Sequence, residues 1–272
     1  MPSETRDHLA EHLKFYGELG VDGFRRESIW RSRADLKVGT TVPGNERGRA
    51  GLQASSPDAA SDLSAIRDDI GDCTRCKLCR LGRKQIVFGI GNPNADLMFV
   101  GEAPGRDEDL QGIPFVGRAG QKLTQIIEAI GLRRDDVYIA NVIKCRPPGN
   151  RDPVPDEKEA CEPYLFRQVE LIRPKVIATL GNHATKQLSG KETGITRVHG
   201  QEQELKVGSL DVLLYPLYHP AAALYTPAML TVLEQDFARL PGLLGSSVAA
   251  SEPAAPQLAA VAAEPAVQLG LF

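Results

Sequence analysis

Apolar and polar positions change rhythm several times along the chain. Between residues 3 and 20, Leu9, Leu13, Tyr16 and Leu19 fall at helical spacing, with Ser3 placed to cap the start and Gly20 to stop the end. That spacing predicts an amphipathic helix within an N-terminal segment, residues 1–26. Residues 27–62 are polar and poor in large apolar side chains, interrupted by Pro43-Gly44-Asn45 and Ala54-Ser55-Ser56-Pro57, and they read as a flexible linker. From 63 to 244 two periods alternate. Apolar runs at 97–100, 137–143, 176–180 and 212–218 are strand-like. Between and after them come helical periods: Leu123, Ile126, Ile127 and Ile130, then 156–172, 182–189 and 227–240. Strands alternating with helices predict an α/β domain on a mostly parallel sheet, with helices over both faces. Residues 245–267 are mostly Ala, Pro, Ser and Val with almost no charge, so 245–272 reads as a disordered tail.

Composition narrows this picture. A chain of 272 residues, 42% apolar and 25% charged, can bury one sizeable core and carry extensions. A net charge of -3 does not announce nucleic-acid binding, although Lys and Arg can still gather on one face. There is no run of about 18 apolar residues, the length a helical membrane span needs. Met1-Pro2-Ser3-Glu4-Thr5-Arg6 lacks the charged and apolar regions of a secretory leader, and the expected location is cytoplasmic.

Five cysteines in such a chain point to metal ligands or reactive thiols rather than a disulfide framework. Cys73 and Cys76 form a close pair, Cys79 follows three positions on, and Cys145 and Cys161 lie far downstream. A zinc ribbon uses two close pairs, whereas an iron–sulfur cluster accommodates more dispersed thiolates. Either Cys73/Cys76 or Cys76/Cys79 could supply the first two ligands, and spacing alone does not separate iron from zinc. Cys145 stands in Lys144-Cys145-Arg146-Pro147-Pro148, a loop leaving a strand, which sets it apart from an ordinary buried cysteine.

The first strand-like run feeds Gly101-Glu102-Ala103-Pro104-Gly105-Arg106-Asp107-Glu108-Asp109, a glycine-rich acidic loop. Pro114-Phe115-Val116-Gly117-Arg118-Ala119-Gly120 then leads into a helix. Ligands of open α/β sheets sit at such carboxyl ends of strands. Asn141 lies in the next strand-like run, and its amide offers a donor and an acceptor in fixed geometry, able to read the edge of a planar ring. His219 follows another run, and Pro220 stops the strand behind it.

Taken in order, these pieces resemble the iron–sulfur-containing uracil-DNA glycosylases called family 4. The matching segments are Cys73-x-x-Cys76, Gly101 to Gly105 with Glu108-Asp109, Gly112-x-Pro114-Phe115-Val116-Gly117-Arg118-Ala119-Gly120, Asn141-Val142-x-Lys144-Cys145-Arg146-Pro147-Pro148, Cys161 and His219-Pro220. They span roughly residues 65 to 240. The resemblance implies a three-layer α/β/α sandwich over residues 63–244, a [4Fe-4S] cluster on Cys73, Cys76, Cys145 and Cys161, and hydrolytic removal of uracil from DNA. It implies that Glu102, Ala103 and Pro104 line the uracil pocket, Phe115 stacks on the flipped base, Asn141 bonds its edge and His219 faces its O2. Glu102 and Glu108 are the candidates to position water; Glu108 could equally cap a helix or form an ion pair. Ala103 stands where the best-known branch carries an aspartate. Arg118, Arg146, Arg151 and Leu224 are the expected DNA contacts. The stretch from Arg146 to Arg151 has no histidine, which argues against the covalent chemistry of a related group.

The chain closes on Gln268-Leu269-Gly270-Leu271-Phe272, which resembles the peptide by which bacterial repair proteins dock on the sliding clamp. Gln268, Leu269, Leu271 and Phe272 would make the contacts, on a tether reaching on the order of 25–30 Å. The leading expectation is a monomeric, nucleoid-associated enzyme acting on uracil-containing DNA. Competing readings are a damage-binding module that holds uracil without cleaving it, and an iron–sulfur redox protein.

Overall fold

The structure, a computed structural model, describes residues 59–246. The expected N-terminal helix, most of the linker and the clamp-binding peptide lie outside the described residues. Six strands form one sheet: β1 (Ile90–Gly91), β2 (Leu97–Gly101), β3 (Tyr138–Asn141), β4 (Val176–Leu180), β5 (Gln203–Val207) and β6 (Leu210–Leu217), in the order β1-β3-β2-β4-β6-β5. The central pairs β3/β2, β2/β4 and β4/β6 are parallel, and β1 and β5 close the edges antiparallel. The sheet is thus mostly parallel, as the alternation of periods predicts.

Helices cover both faces because each central strand is apolar on both sides. Met98 and Val100 point to one face, with Leu63 and Ile66 of α1 (Ala59–Ile70) and Leu165 and Val169 of α4 (Pro155–Ile172). Leu97 and Phe99 point to the other, with Leu123 and Ile127 of α3 (Arg118–Ala129), Phe237 of α7 (Pro227–Phe237) and Leu240 of α8 (Leu240–Ser246). The remaining helices are α2 (Arg106–Gln111), α5 (Asn182–Ser189) and α6 (Ile195–Val198). The result is a three-layer α/β/α sandwich.

Three details depart from the expectation. Helix α1 includes Ala59 and so reaches into the stretch read as linker, because Ala59, Leu63, Ile66 and Ile70 form one buried stripe. The short β1 and the β5 strand were not visible as apolar runs. β5 alternates between exposed and covered residues at a sheet edge and is held by its hairpin to β6. Among the described residues no helix is long and apolar enough to cross a membrane.

Candidate active site

The carboxyl ends of β2, β3 and β6 meet at a cleft of about 280 Å3 lined by Glu102, Pro104, Phe115, Asn141 and His219, among others. Parallel pairing sets their relative depth: Gly101 is directly opposite Asn141 in the β2/β3 register, and Val142 and Ile143 donate their N–H groups to the carbonyls of Gly101 and Glu102 at 2.8 and 3.1 Å. The strands therefore stay bonded past the sheet edge and hold Glu102 and Asn141 side by side.

Asn141 is 1% exposed, and its Oδ1 is buried with no hydrogen-bond partner. A buried acceptor left unpaired costs on the order of 1–3 kcal/mol, so such an atom facing a cleft is prepared for a donor from a ligand. Behind it, Lys144 Nζ donates to the Asn141 carbonyl at 2.9 Å and to Gln168 Oε1 at 2.6 Å, and Gln168 Nε2 donates to Tyr138 and to the Phe88 carbonyl, each at 3.1 Å. This buried chain ties the strand end to α4. Burial pushes Lys144 down to about 8.

Phe115 has a φ of 52°, a left-handed conformation that costs a bulky residue on the order of 1–3 kcal/mol. The surrounding loop enforces it. Glu108 Oε1 accepts the N–H groups of Val116 and Gly117, each at 2.9 Å, and Arg134 donates to the Pro114 carbonyl at 2.6 Å. At Gly120 a Cβ would lie 1.9 Å from the Phe115 carbonyl oxygen, so α3 packs on this turn only with glycine there. The ring tip is equally confined: a Cβ on Gly101 would meet Asn141 Oδ1 at 2.4 Å and Phe115 Cζ at 2.6 Å. Of the two roles open to Glu108, the structure shows it anchoring this loop.

His219 caps the turn Pro220–Leu224, and its Nδ1 accepts the Ala221 N–H at 3.1 Å. Burial pushes the imidazole down to about 4, so it is neutral near pH 7. With Nδ1 occupied as an acceptor, the single proton of the neutral ring sits on Nε2. Its centroid lies 5.8 Å from that of Phe115. Glu102 is also moved by burial, helped by the neighbouring Asp152 carboxylate, up to about 8.

The expected DNA contacts divide. Arg118 opens α3, with its guanidinium 5.8 Å from the Tyr225 ring centroid, and Arg146 bonds Asn150 Oδ1 at 2.6 Å on the exposed loop. The guanidinium of Arg151 is paired: Nη1 and Nη2 reach Glu157 Oε2 and Oε1 at 2.8 and 2.6 Å, and Glu157 is fully buried. Leu224 is half-buried, and the exposed side chain at that corner is Tyr225, which sequence reasoning passed over. His183 and Asp152 were passed over too, although Leu180-Gly181-Asn182-His183 repeats the apolar-run-then-glycine pattern that drew notice at Gly101.

The cysteines gather on the α4 side of the sheet. Cys73 and Cys76 pack against the core that includes Cys145 and Cys161. Burial raises Cys145 to about 12 and also raises Cys161 and Cys76. Cys161 lies within electrostatic reach of Cys73 and Cys76, and Cys145 within reach of Cys161 and Cys76. Arg83 and the Lys144 amide donate to the sulfurs of Cys145 and Cys161 at 3.4 and 3.2 Å. Among the described residues no three of these sulfurs lie within 4.8 Å of one another. Among the described residues, ligand atoms of Glu102, Asp152 and His183 lie within 4.8 Å of one another.

The family model described as the uracil DNA glycosylase superfamily matches residues 88–239, more than half of the chain. The chain belongs to that superfamily. A type-4 uracil-DNA glycosylase of Sulfurisphaera tokodaii is 49% identical over 183 residues, covering 65% of this chain and 83% of the relative. Similar proteins of the same description occur in Saccharolobus solfataricus, 48% identical over 190 residues (68% and 88% covered), and Archaeoglobus fulgidus, 46% over 189 residues (67% and 95%). The matches place the chain in the type-4 branch, and the cleft lies inside the matched region.

Proposed function

We propose that the protein is a monofunctional uracil-DNA glycosylase that extrudes uracil from DNA, hydrolyses its N-glycosidic bond and leaves an abasic site. The observation that carries this reading is the unpaired, buried Oδ1 of Asn141 beside the constrained Phe115 ring. A base inside a duplex is out of reach of any cleft, so it must be flipped, stacked and read on its edge. Phe115 supplies the stacking face. The Asn141 oxygen accepts the N3–H of uracil; cytosine presents an unprotonated nitrogen there and leaves the acceptor unpaired.

Breaking the bond between C1′ and N1 sends the electron pair onto the base and leaves cationic character on the sugar. The neutral His219 donates from Nε2 to O2, where the charge develops. Glu102, in its ionised form, faces the sugar cation, orients the water that bonds to C1′ and takes its proton. Glu108 supports this indirectly by holding the Phe115 loop.

Cys73, Cys76, Cys145 and Cys161 are the residues that would hold a [4Fe-4S] cluster, a reading supported by their gathering at one core and by the N–H···S contacts to Cys145 and Cys161. Such a cluster would fix the loop from Lys144 to Arg151 and present Arg146, with Arg118, to DNA phosphates. The peptide Gln268-Leu269-Gly270-Leu271-Phe272 would dock on a sliding clamp, so deleting residues 268–272 should abolish co-elution with a clamp while leaving excision unchanged.

The deciding experiment uses an end-labelled oligonucleotide with a single uracil, treated with alkali after incubation. Scission at uracil and not at a thymine control is expected. Asn141→Asp should lower excision by about one to two orders of magnitude, since one good edge contact is worth roughly 1–3 kcal/mol. Tight binding with the uracil left intact would replace the enzyme with a damage-binding module.

A further inference from the structure

Resting on the reading of Glu102 as the water-orienting carboxylate, a difficulty remains at that residue. Its Oε1 is buried without a hydrogen-bond partner, and a second carboxylate, Asp152, stands close by. Both features favour the protonated, inactive form. Something must hold the proton elsewhere.

His183 stands between the two carboxylates. Its Nδ1 lies 3.7 Å from Glu102 Oε1 and its Nε2 lies 3.4 Å from Asp152 Oδ2. The three come from separate parts of the fold: Glu102 from the end of β2, Asp152 from the loop before α4, and His183 from the first turn of α5. A neutral imidazole has one N–H and can serve one carboxylate; an imidazolium has two and can serve both. A hollow of about 20 Å3, lined by Glu102, His183 and His219 among others, leaves room for the imidazole to close on Oε1. The other ionisable groups facing Glu102 are Lys158 of α4, whose charge acts through space, and His219, which is neutral near pH 7.

We infer that His183, anchored by Asp152, is a positioning residue that takes the proton from Glu102 and holds its carboxylate ionised and aimed at the sugar. The transfer is balanced within the group. Glu102 gives up its proton, His183 becomes imidazolium between two anions, and the net charge of the trio stays at minus one. His183 does not touch the substrate; it acts through Glu102.

The pH dependence of single-turnover excision tests this, using the full chain. Removing His183 leaves two carboxylates facing each other, so Glu102 keeps its proton to higher pH. In His183→Gln the acid limb of the rate profile should move up by at least one pH unit, with roughly tenfold loss at pH 7 that recovers in alkali. Adding Asp152→Asn removes the like charge and should move that limb part of the way back, so the second change relieves the first. A merely structural role gives losses that are uniform with pH and that accumulate. His183→Asn serves as an independent variant should the glutamine disturb α5, with far-UV circular dichroism checking that each is folded. A wild-type profile in His183→Gln, a pH-independent loss, or a further loss in the double variant overturns the inference. Failure of the wild type itself to release uracil would instead sink the glycosylase reading.

Discussion

Burial moves Glu102 and His219 toward their neutral forms, and this gives the two residues opposite signatures in pH. His219 titrates near 6.5 in the unfolded chain and at about 4 when folded, so between those values the unfolded state binds more protons. Its contribution to stability is lost as pH falls from about 6.5. Burial and Asp152 push Glu102 from near 4.5 unfolded up to about 8 folded, and a proton passed to His183 stays inside the same group, so the folded site gives up its proton at a higher pH than the unfolded carboxyl does. Its contribution is lost as pH rises from about 4.5 to 8. Glu102→Gln keeps the shape and cannot ionise. It should therefore abolish most excision yet raise unfolding stability at pH 8 by about 1–3 kcal/mol, with almost no gain at pH 4.5. Urea denaturation at the two pH values checks this; an equal gain at both would show that Glu102 carries no displaced proton.

Among the connecting elements, the loop between β3 and α4 combines two arginines that look alike in sequence and differ in the structure. Arg151 is committed to Glu157, which is fully buried and also accepts the Val154 N–H at 3.0 Å; Arg146 sits on the exposed face of the same loop. Removing the partner of a buried carboxylate is strongly destabilising, by roughly 3–5 kcal/mol when both groups are buried and by less here because Arg151 is partly exposed. Arg151→Ala should thus lower the melting temperature by several degrees and leave the salt dependence of DNA binding unchanged. Arg146→Ala should do the reverse, reducing the slope of log affinity against log salt by about 1 with little change in melting. Calorimetry and binding titrations across salt separate the two. This distinction was not legible in the sequence, because pairing across six residues depends on where the loop folds back. The central strands and α3 were legible, since Leu97 to Val100 are apolar without interruption and Leu123, Ile126 and Ile127 repeat at helical spacing. The strand β5 was not: Gln203-Glu204-Leu205-Lys206-Val207 is held by pairing with β6 rather than by its own apolar content. At the cleft, Glu102, Phe115, Asn141 and His219 could be read from motifs. His183 could not, because its role comes from facing Glu102 and Asp152 across the sheet edge.

At the scale of the whole molecule, the cysteine group stands on one side of the sheet and the Asn141 cleft at its edge, and Lys144 links them. Its amide donates to the Cys161 sulfur and its Nζ to the carbonyl of Asn141. Loss of a bound cluster should therefore be felt at Asn141 as well as in stability. In the proposed cluster, Cys73 rather than Cys79 would be the partner of Cys76. Cys73 and Cys76 pack against the core and both act electrostatically on Cys161, whereas Cys79 lies in the turn Lys77–Arg80 outside that core. Cys79→Ser should retain about four irons per chain, the visible absorbance of the cluster and full excision. Cys76→Ser should lose the absorbance and much of the stability, because buried thiols raised by desolvation are then left without the positive group that suits them. Iron analysis with absorbance spectroscopy reads both variants. Loss of iron in Cys79→Ser and retention in Cys73→Ser would transfer the ligand role to Cys79, and zinc in place of iron in the wild type would remove the cluster altogether.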